Sequence, residues 1–474
     1  MPSPHPDHDD TLAALTQVVD AARAYLASLD VDPARPASLE EAASAFGGAL
    51  PETGIGATAA LQRLLDDGVP LATRSSGPRM FHFVTGGGTP AALAADWLTA
   101  VLDQNAFSWV ASPLGARLEQ VSIAWLRDLF GLPDRFGGVL TTGATTANTA
   151  ALAAARQWWG ERHGVDIARD GWSGLPAVPV LSSGYVHTSA LKALATLGIG
   201  RDRVQRFVAD DAGRMDVQAL EAALRALDGA PALVLATVGD VNDGEADPVP
   251  ALADLAERYG AWLHVDGAFG LFARLSPRTA RLAEGVERAD SVIADGHKWL
   301  NVPYDTGFAF VARPELLARV FSMDAAYLPR PDDPHPNFGH LGLEASRRAR
   351  GIPVWATLRA YGRQGYQALV ERHLDLTERL AARVRAEPDL ELLSEPVMNV
   401  VAFRVHPAGT SATALDDLNR AVGADLIADG RVYAGTTTYR GVVAFRPAIA
   451  GWRITEREVD LLVDVIVELA RRRR

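Results

Sequence analysis

Between residues 90 and 310 the chain alternates short, almost wholly apolar runs with amphipathic stretches, and no other feature narrows its fold so far. Residues 177–181, 204–208, 232–238, 261–265 and 291–294 have the length and apolar content of buried strands. Residues 188–197, 216–227, 249–258 and 277–286 carry apolar positions at the three- and four-residue spacing of helices. A strand that is apolar on both faces must be covered on both. The pattern therefore predicts an α/β fold, a mostly parallel central sheet with helices on both faces. Ligands of such sheets gather beyond the carboxyl ends of the strands, so polar residues that follow the apolar runs become candidates for chemistry.

The flanking regions read differently. Residues 12–29 and 57–66 predict helices, separated by Pro- and Gly-rich punctuation at 33–36 and 51–56, and form an N-terminal helical segment. Beyond residue 350 come a long helix over 354–385, strand-like runs at 397–405 and 441–447, and a last helix from 455. These define a small C-terminal α/β domain. With 474 residues the chain is too long for one simple domain. The expected division is an N-terminal segment over 1–90, a large α/β domain over 91–350 and the small domain over 351–474.

Composition removes several kinds of function. There is no cysteine, which excludes disulfides, thiolate catalysis and cysteine-ligated metal, and no metal site is read from the sequence. Acidic residues outnumber basic ones, 58 to 46, which argues against nucleic acid or an anionic membrane as partner. No apolar run approaches the roughly 20 residues that span a bilayer. The first ten residues lack the basic and apolar regions of a signal peptide, so a cytoplasmic location is expected. Only Lys192 and Lys298 are lysine, which leaves arginine at 44 of the 46 basic positions. An ammonium can lose its proton and attack a carbonyl, and a guanidinium cannot, so each lysine invites a chemical explanation. Lys192 lies in an amphipathic helical run, where a solvated side chain explains it equally well.

Four stretches carry candidate chemistry. Val139-Leu-Thr-Thr-Gly-Ala-Thr-Thr-Ala-Asn148 reads as a strand, a turn of small residues and the start of an Ala-rich helix. Its hydroxyls and free N–H groups suit a phosphate, although an ordinary strand–helix turn fits too. Ser183-Gly-Tyr-Val-His187 places an imidazole ahead of a helix. Ala261-Trp-Leu-His-Val-Asp266 ends a strand in a carboxylate that can cap a helix or bind a ligand. Ser291-Val-Ile-Ala-Asp-Gly-His-Lys298-Trp runs from a buried strand into His297 and Lys298, where desolvation favours a neutral, nucleophilic amine. In this order the four supply what pyridoxal 5′-phosphate (PLP) needs: a phosphate turn, a planar imidazole for the ring face, a carboxylate for the ring nitrogen and an amine for the aldehyde.

The sequence resembles the group II PLP-dependent amino acid decarboxylases, the family of the aromatic-amino-acid, glutamate and diaminobutyrate decarboxylases, over roughly residues 55–450. The most specific motif is Asp295-Gly-His-Lys-Trp-Leu-Asn-Val-Pro-Tyr-Asp-Thr-Gly307, supported by His264-Val-Asp-Gly-Ala268 and Ser346-Arg-Arg-Ala-Arg-Gly-Ile-Pro-Val-Trp355. The resemblance implies a fold type I PLP enzyme that works as a homodimer with its site at the subunit interface, the N-terminal helices interlocking the two copies. It implies Lys298 as the Schiff-base lysine, Asp266 at the pyridine nitrogen, and Ala268 and His187 on the two ring faces. Ala144, Thr145 and His297 belong near the phosphate. Phe81, His82, Phe83 and Trp109 lie where the family lines its substrate, and each is equally explained as core.

Two departures qualify the resemblance. Counting back from Arg347-Arg348 places Phe338 opposite the family's mobile-loop tyrosine, and a phenyl ring donates no proton. His335, His340, His187, Tyr327 or water then protonates Cα, or oxygen intervenes and an aldehyde forms. Asp240 stands where relatives often carry threonine, which disfavours an acidic substrate. The reading is PLP-dependent decarboxylation of an L-amino acid to its amine, with an aromatic or apolar side chain preferred. The alternatives are an oxygen-dependent, aldehyde-forming decarboxylase, a PLP carbon–carbon lyase, a non-catalytic PLP-binding protein and a nucleotide-binding oxidoreductase. The last leaves Lys298 and His187 without a role.

Overall fold

A seven-stranded sheet in the order β1-β7-β6-β5-β4-β2-β3 organises the molecule. The computed structural model describes residues 8–35, 37–323, 330 and 333–473. The strands are β1 Gly137–Thr141, β2 Val180–Ser182, β3 Val204–Arg206, β4 Leu233–Thr237, β5 Trp262–Asp266, β6 Ser291–Asp295 and β7 Gly307–Val311. Strands β3, β2, β4, β5 and β6 pair in parallel, and only β7 runs against its neighbours. Its run Gly-Phe-Ala-Phe-Val follows Lys298 by too short a link for a crossover helix, so it must return antiparallel.

Side-chain alternation explains why both faces are dry. In β4, Leu233 and Leu235 pack into one core with the helices Ala144–Arg162 and Thr188–Thr196, while Val234 and Ala236 pack into the other with the helix Val249–Tyr259. The Ala-rich helix begins at Ala144, earlier than its alanine run suggests, and its small side chains let it lie against β5, β6 and β7. Residues 277–286 form no α-helix; the chain makes tight turns at Ala280–Ala283 and Val286–Arg288. The interruption is local, with Gly285 in the left-handed region at φ 85°.

The C-terminal part forms a second, antiparallel sheet in the order β10-β11-β9-β8, built from β8 Leu390–Leu392, β9 Phe403–Val405, β10 Thr436–Tyr439 and β11 Val442–Phe445. Of the run 397–405, only its end is a strand. The long helix Gly351–Ala386 is broken at Gly362, whose φ of 61° no helix contains. Residues 80–84 cross to this part: Met80 bridges Tyr433, and the Ala448 N–H donates to Phe81 O at 3.0 Å. That crossing brings segments hundreds of residues apart in the chain, around Phe83 and Arg446, to the cavity at the rim of the large sheet.

The N-terminal helix His8–Ser28 packs on the helix Ala57–Arg63. Neither Ala57–Arg63 nor Leu39–Ala45 buries a residue. Leu12, Leu15, Leu39, Phe46, Leu50 and Leu64 remain exposed.

Candidate active site

The parallel strands end where the chemistry-bearing residues begin. Asp266 closes β5, Asp295 closes β6, Thr237 closes β4, and β2 leads directly to His187. Phe83, Tyr185, His187, Asp266, Lys298 and Arg446 all line one cavity of about 200 Å³, together with Val84, Val241, Ala268 and Phe269.

The turn that presents Lys298 is held by its flanking residues. Trp299 is fully buried and its indole donates to His373 Nδ1 at 2.8 Å. Asn301 adopts the left-handed conformation, donates to Trp299 O at 2.9 Å and Ala450 O at 3.0 Å, and accepts from the Trp452 N–H at 2.8 Å. Lys298, between these anchors, is left to point its amine into the cavity, 3.3 Å from Asp295 Oδ2 and 5.8 Å from the Phe269 ring centre. The other lysine, Lys192, is exposed on the helix Thr188–Thr196.

Asp266 is buried, and its two oxygens are oriented separately. Oδ1 accepts the Ala268 N–H at 3.1 Å, and Oδ2 accepts from Asn148 Nδ2 at 2.9 Å. His187 caps the helix Thr188–Thr196, its Nδ1 accepting the Ser189 N–H at 3.2 Å. The imidazole is open to the cavity and crowded by protein elsewhere; that desolvation lowers its pKa against the opposing pull of Asp266. His297 is lowered by burial too, accepts the Thr306 N–H at 3.4 Å, and stacks on Tyr304 with ring centres 4.3 Å apart.

Ala144 and Thr145 form the first turn of their helix, preceded by Gly143, which supplies no side-chain cap. Chain packing here admits no side chain: a Cβ on Gly143 would lie 3.1 Å from the His297 ring, and one on Gly307 would lie 2.5 Å from Gly143 Cα. Free N–H groups at a helix start, a strand-end carboxylate and a nearby amine fit the phosphate, ring nitrogen and aldehyde of PLP.

Other expected positions separate from the cavity. Phe81 is fully buried in the C-terminal core beside Val432, Phe445 and Ile449, so it does not line a substrate. The physical reason is the backbone at Phe83, whose φ of 56° breaks the extended alternation and turns the Phe83 ring outward to the cavity. His82 lies between Phe83 and Tyr433, its pKa lowered by burial and then by Arg446. Trp109 packs against His335 with ring centres 4.4 Å apart and the planes tilted by 33°. Phe338, His335 and His340 line a different cavity of about 480 Å³ against Gln120, Phe136 and Pro314. On this chain, Phe338 and Trp109 are therefore not part of the Lys298 cavity. Tyr327 lies outside the described residues.

Three lining residues escape a sequence reading. Arg446 is 9% exposed, donates to Phe83 O at 3.3 Å, and has no carboxylate at ion-pair distance among the described residues. Desolvation lowers its pKa, opposed by Asp240. Tyr185 is buried with an unpartnered hydroxyl, and desolvation followed by Asp243, Glu245 and Asp240 raises its pKa far above the ordinary value. Val241 sits one residue from Asp240, itself buried and raised to about 6, chiefly by desolvation. The only sequence signals were an arginine after an apolar run, a tyrosine two residues before His187 and an unusual aspartate.

An open α/β sheet with a lysine, an imidazole and a carboxylate at its strand ends defines a cofactor-dependent enzyme of the carbonyl–amine type. The family model for the pyridoxal-dependent decarboxylase conserved domain matches residues 61–406, and the chain belongs to that family, the group II PLP-dependent amino acid decarboxylases. It is 34% identical over 430 residues to an L-2,4-diaminobutyrate decarboxylase of Rhizobium meliloti, covering 89% of this chain and 84% of that one. An aromatic-L-amino-acid decarboxylase of Bacillus atrophaeus is 28% identical over 400 residues, covering 83% and 81%. The crystal structure of Oryza sativa TDC with PLP and tryptamine superposes with a TM-score of 0.91 at 25% identity, covering 100% of both chains. The cofactor is PLP.

Proposed function

We propose that this chain removes the α-carboxyl group of an L-amino acid and releases the amine, with an aromatic or apolar side chain preferred. The observation that carries the reading is the convergence of Lys298, His187 and Asp266 on one cavity. Bound PLP supplies an electron sink for the bond that breaks. Lys298 would provide the amine that holds the cofactor's aldehyde, with Asp295 orienting it at 3.3 Å. Asp266 holds a proton at the ring nitrogen, and Ala268 and His187 confine the two ring faces. The first turn at Ala144 and Thr145, with His297 beside it, holds the phosphate.

Arg446 is the residue for the substrate carboxylate: it is a buried cation without an anionic partner among the described residues. Phe83, Val84, Val241 and Phe269 give the rest of the cavity an apolar wall, which supports the preference for an aromatic or apolar side chain. Beside Lys298 and Arg446, His187 and Tyr185 are proton-bearing groups in the cavity, Tyr185 held protonated by its raised pKa. The exposed apolar side chains of the N-terminal segment support a homodimer in which a second copy covers them.

The test is direct. Protein loaded with PLP should carry a visible absorption band that Lys298→Ala abolishes and Lys192→Arg leaves. Borohydride reduction should then place the label on Lys298. A label elsewhere rules the assignment out.

A second reading rests on the resemblance, which sets Phe338 opposite the family's loop tyrosine: oxygen and water are consumed, oxygen is reduced to peroxide, and the substrate leaves as aldehyde, carbon dioxide and ammonia. Oxygen uptake with stoichiometric peroxide would select it over amine formation.

A further inference from the structure

A chain of hydrogen bonds joins Trp262, Ser291, His264, Asn148, Asp266, Ser189 and His187, and its donors follow from the carboxylate of Asp266 and the backbone N–H of Ser189. The Trp262 indole can only donate, and it does so to Ser291 Oγ at 3.0 Å. That hydroxyl meets His264 Nδ1 at 2.8 Å, and it is the donor there because Asn148 turns its Nδ2 to the Asp266 carboxylate and so offers Oδ1 to a proton on His264 Nε2. His264 Nδ1 is therefore an acceptor, and its proton sits on Nε2, 2.8 Å from Asn148 Oδ1. The carboxamide is thereby oriented, with Nδ2 donating to Asp266 Oδ2 at 2.9 Å and to Ser189 Oγ at 3.2 Å. Ser189 in turn donates its hydroxyl proton to His187 Nδ1 at 2.7 Å. His187 Nδ1 already accepts the Ser189 N–H, so its own proton is carried by Nε2.

The relay is dry over its inner part, and only His187 at its end is exposed. Trp262, Ser291, His264 and Asn148 are all 0% exposed. Burial pushes His264 down to about 4, so it stays neutral and keeps one donor and one acceptor. A flipped Asn148 would set its carbonyl oxygen against the Asp266 carboxylate and its amine against the His264 N–H, two repulsive contacts in a dry interior.

We propose that Asn148 is a positioning residue whose single carboxamide orients both the carboxylate of Asp266 and the Ser189 hydroxyl that meets His187 Nδ1, and that His264 keeps this carboxamide in the required orientation. The proposal rests on the reading that Asp266 and His187 hold the cofactor ring. It assigns His187 an Nε2–H as its free ring donor toward the cavity. One buried amide then couples the group below the ring nitrogen to the group on the ring face.

The experiment compares His264→Leu, His264→Gln and Asn148→Ala with the wild type. The probe is 4′-deoxypyridoxine 5′-phosphate, which lacks the aldehyde that Lys298 attacks. Affinity and the absorbance of the bound pyridinium are read, with thermal unfolding as the control for folding. His264→Leu and Asn148→Ala should weaken binding about tenfold or more, the usual effect of deleting an outer partner, and lose part of the pyridinium absorbance. Glutamine retains an N–H for Asn148 Oδ1, so His264→Gln should restore binding to within about threefold. Folded leucine and alanine variants that bind as the wild type does overturn the proposal, and so does a glutamine variant as impaired as the leucine one. If His264→Leu does not fold, Asn148→Ala alone decides by the same readouts. Wild-type protein that fails to bind the probe overturns the cofactor reading itself, and the proposal with it.

Discussion

Gly86 lies directly against the carbonyl of Lys298: its N–H donates to His297 O at 3.1 Å, and a Cβ at Gly86 would stand 1.8 Å from Lys298 O. The loop after Phe83 thus clamps the lysine turn from the opposite side to Trp299. Gly86→Ala must push the turn away, so the Lys298 amine should leave its position. The expected result is at least a tenfold loss of PLP affinity by equilibrium dialysis, with an overpacking penalty of about 1–3 kcal/mol. Unchanged affinity would mean that the turn can shift without moving the amine.

Arg347, in the Ser-Arg-Arg-Ala-Arg stretch, meets Glu119 in a buried bidentate pair at 2.8 and 2.9 Å, and the same guanidinium donates to Leu140 O at 2.6 Å. Both side chains are out of water. Removing one partner strands a charge, so Glu119→Gln or Arg347→Leu should each destabilise by about 3–5 kcal/mol, while the double replacement Glu119→Leu with Arg347→Met should cost less than the sum. Denaturant unfolding of the three variants measures this.

Asp247 predicts a pH dependence of stability. Burial pushes its carboxyl from 3.8 up to about 7, although Oδ2 accepts from the Thr237 N–H and Ser183 Oγ at 2.8 and 2.9 Å. The unfolded chain ionises this group near its ordinary value. Between about pH 4 and 7 the folded state therefore holds the extra proton, and the contribution to stability that is complete below that window is lost as pH rises. Asp247→Asn cannot ionise, so its melting temperature should gain on the wild type from pH 4 to 8. A constant difference across that range refutes the assignment.

Arg446→Gln should raise KM for the amino acid about tenfold or more, the cost of losing a charged hydrogen bond to a carboxylate, and leave PLP affinity within about threefold. Equal losses in both would make Arg446 part of the cofactor site instead. Titration with PLP and with substrate separates the two.

Phe338→Tyr should raise the ratio of amine to aldehyde among the products. Phe338 is buried and packs in the cluster that holds Val139, with Arg347 5.9 Å over its ring. If product analysis finds no change, the position does not govern proton delivery to Cα.

How far a sequence carries an argument depends on the range of the interactions involved. Asp266, Lys298 and His187 were legible because each follows an apolar strand within a few residues, and a parallel sheet gathers such ends along one edge. The Phe83 ring was expected near substrate for a positional reason; only its left-handed backbone separates it from buried Phe81. Strand β7 hid because the apolar pattern of Gly-Phe-Ala-Phe-Val does not state a direction. Its direction is set by pairing with β1 and β6, which lie on either side of it in the sheet and far apart in the chain.

By itself, the order of residues determined the layered α/β architecture, the small-residue turn before the Ala-rich helix and a lysine just past a buried strand, since these follow from periodicity and from local chemical capacity. Only the tertiary structure decided that Arg446 has no carboxylate partner among the described residues, that Phe338 faces another cavity, and that Asn148 reaches both Asp266 and Ser189. Those facts depend on which distant segments meet and on where water is excluded. No pattern of near neighbours encodes them, because burial and donor direction belong to the packed whole.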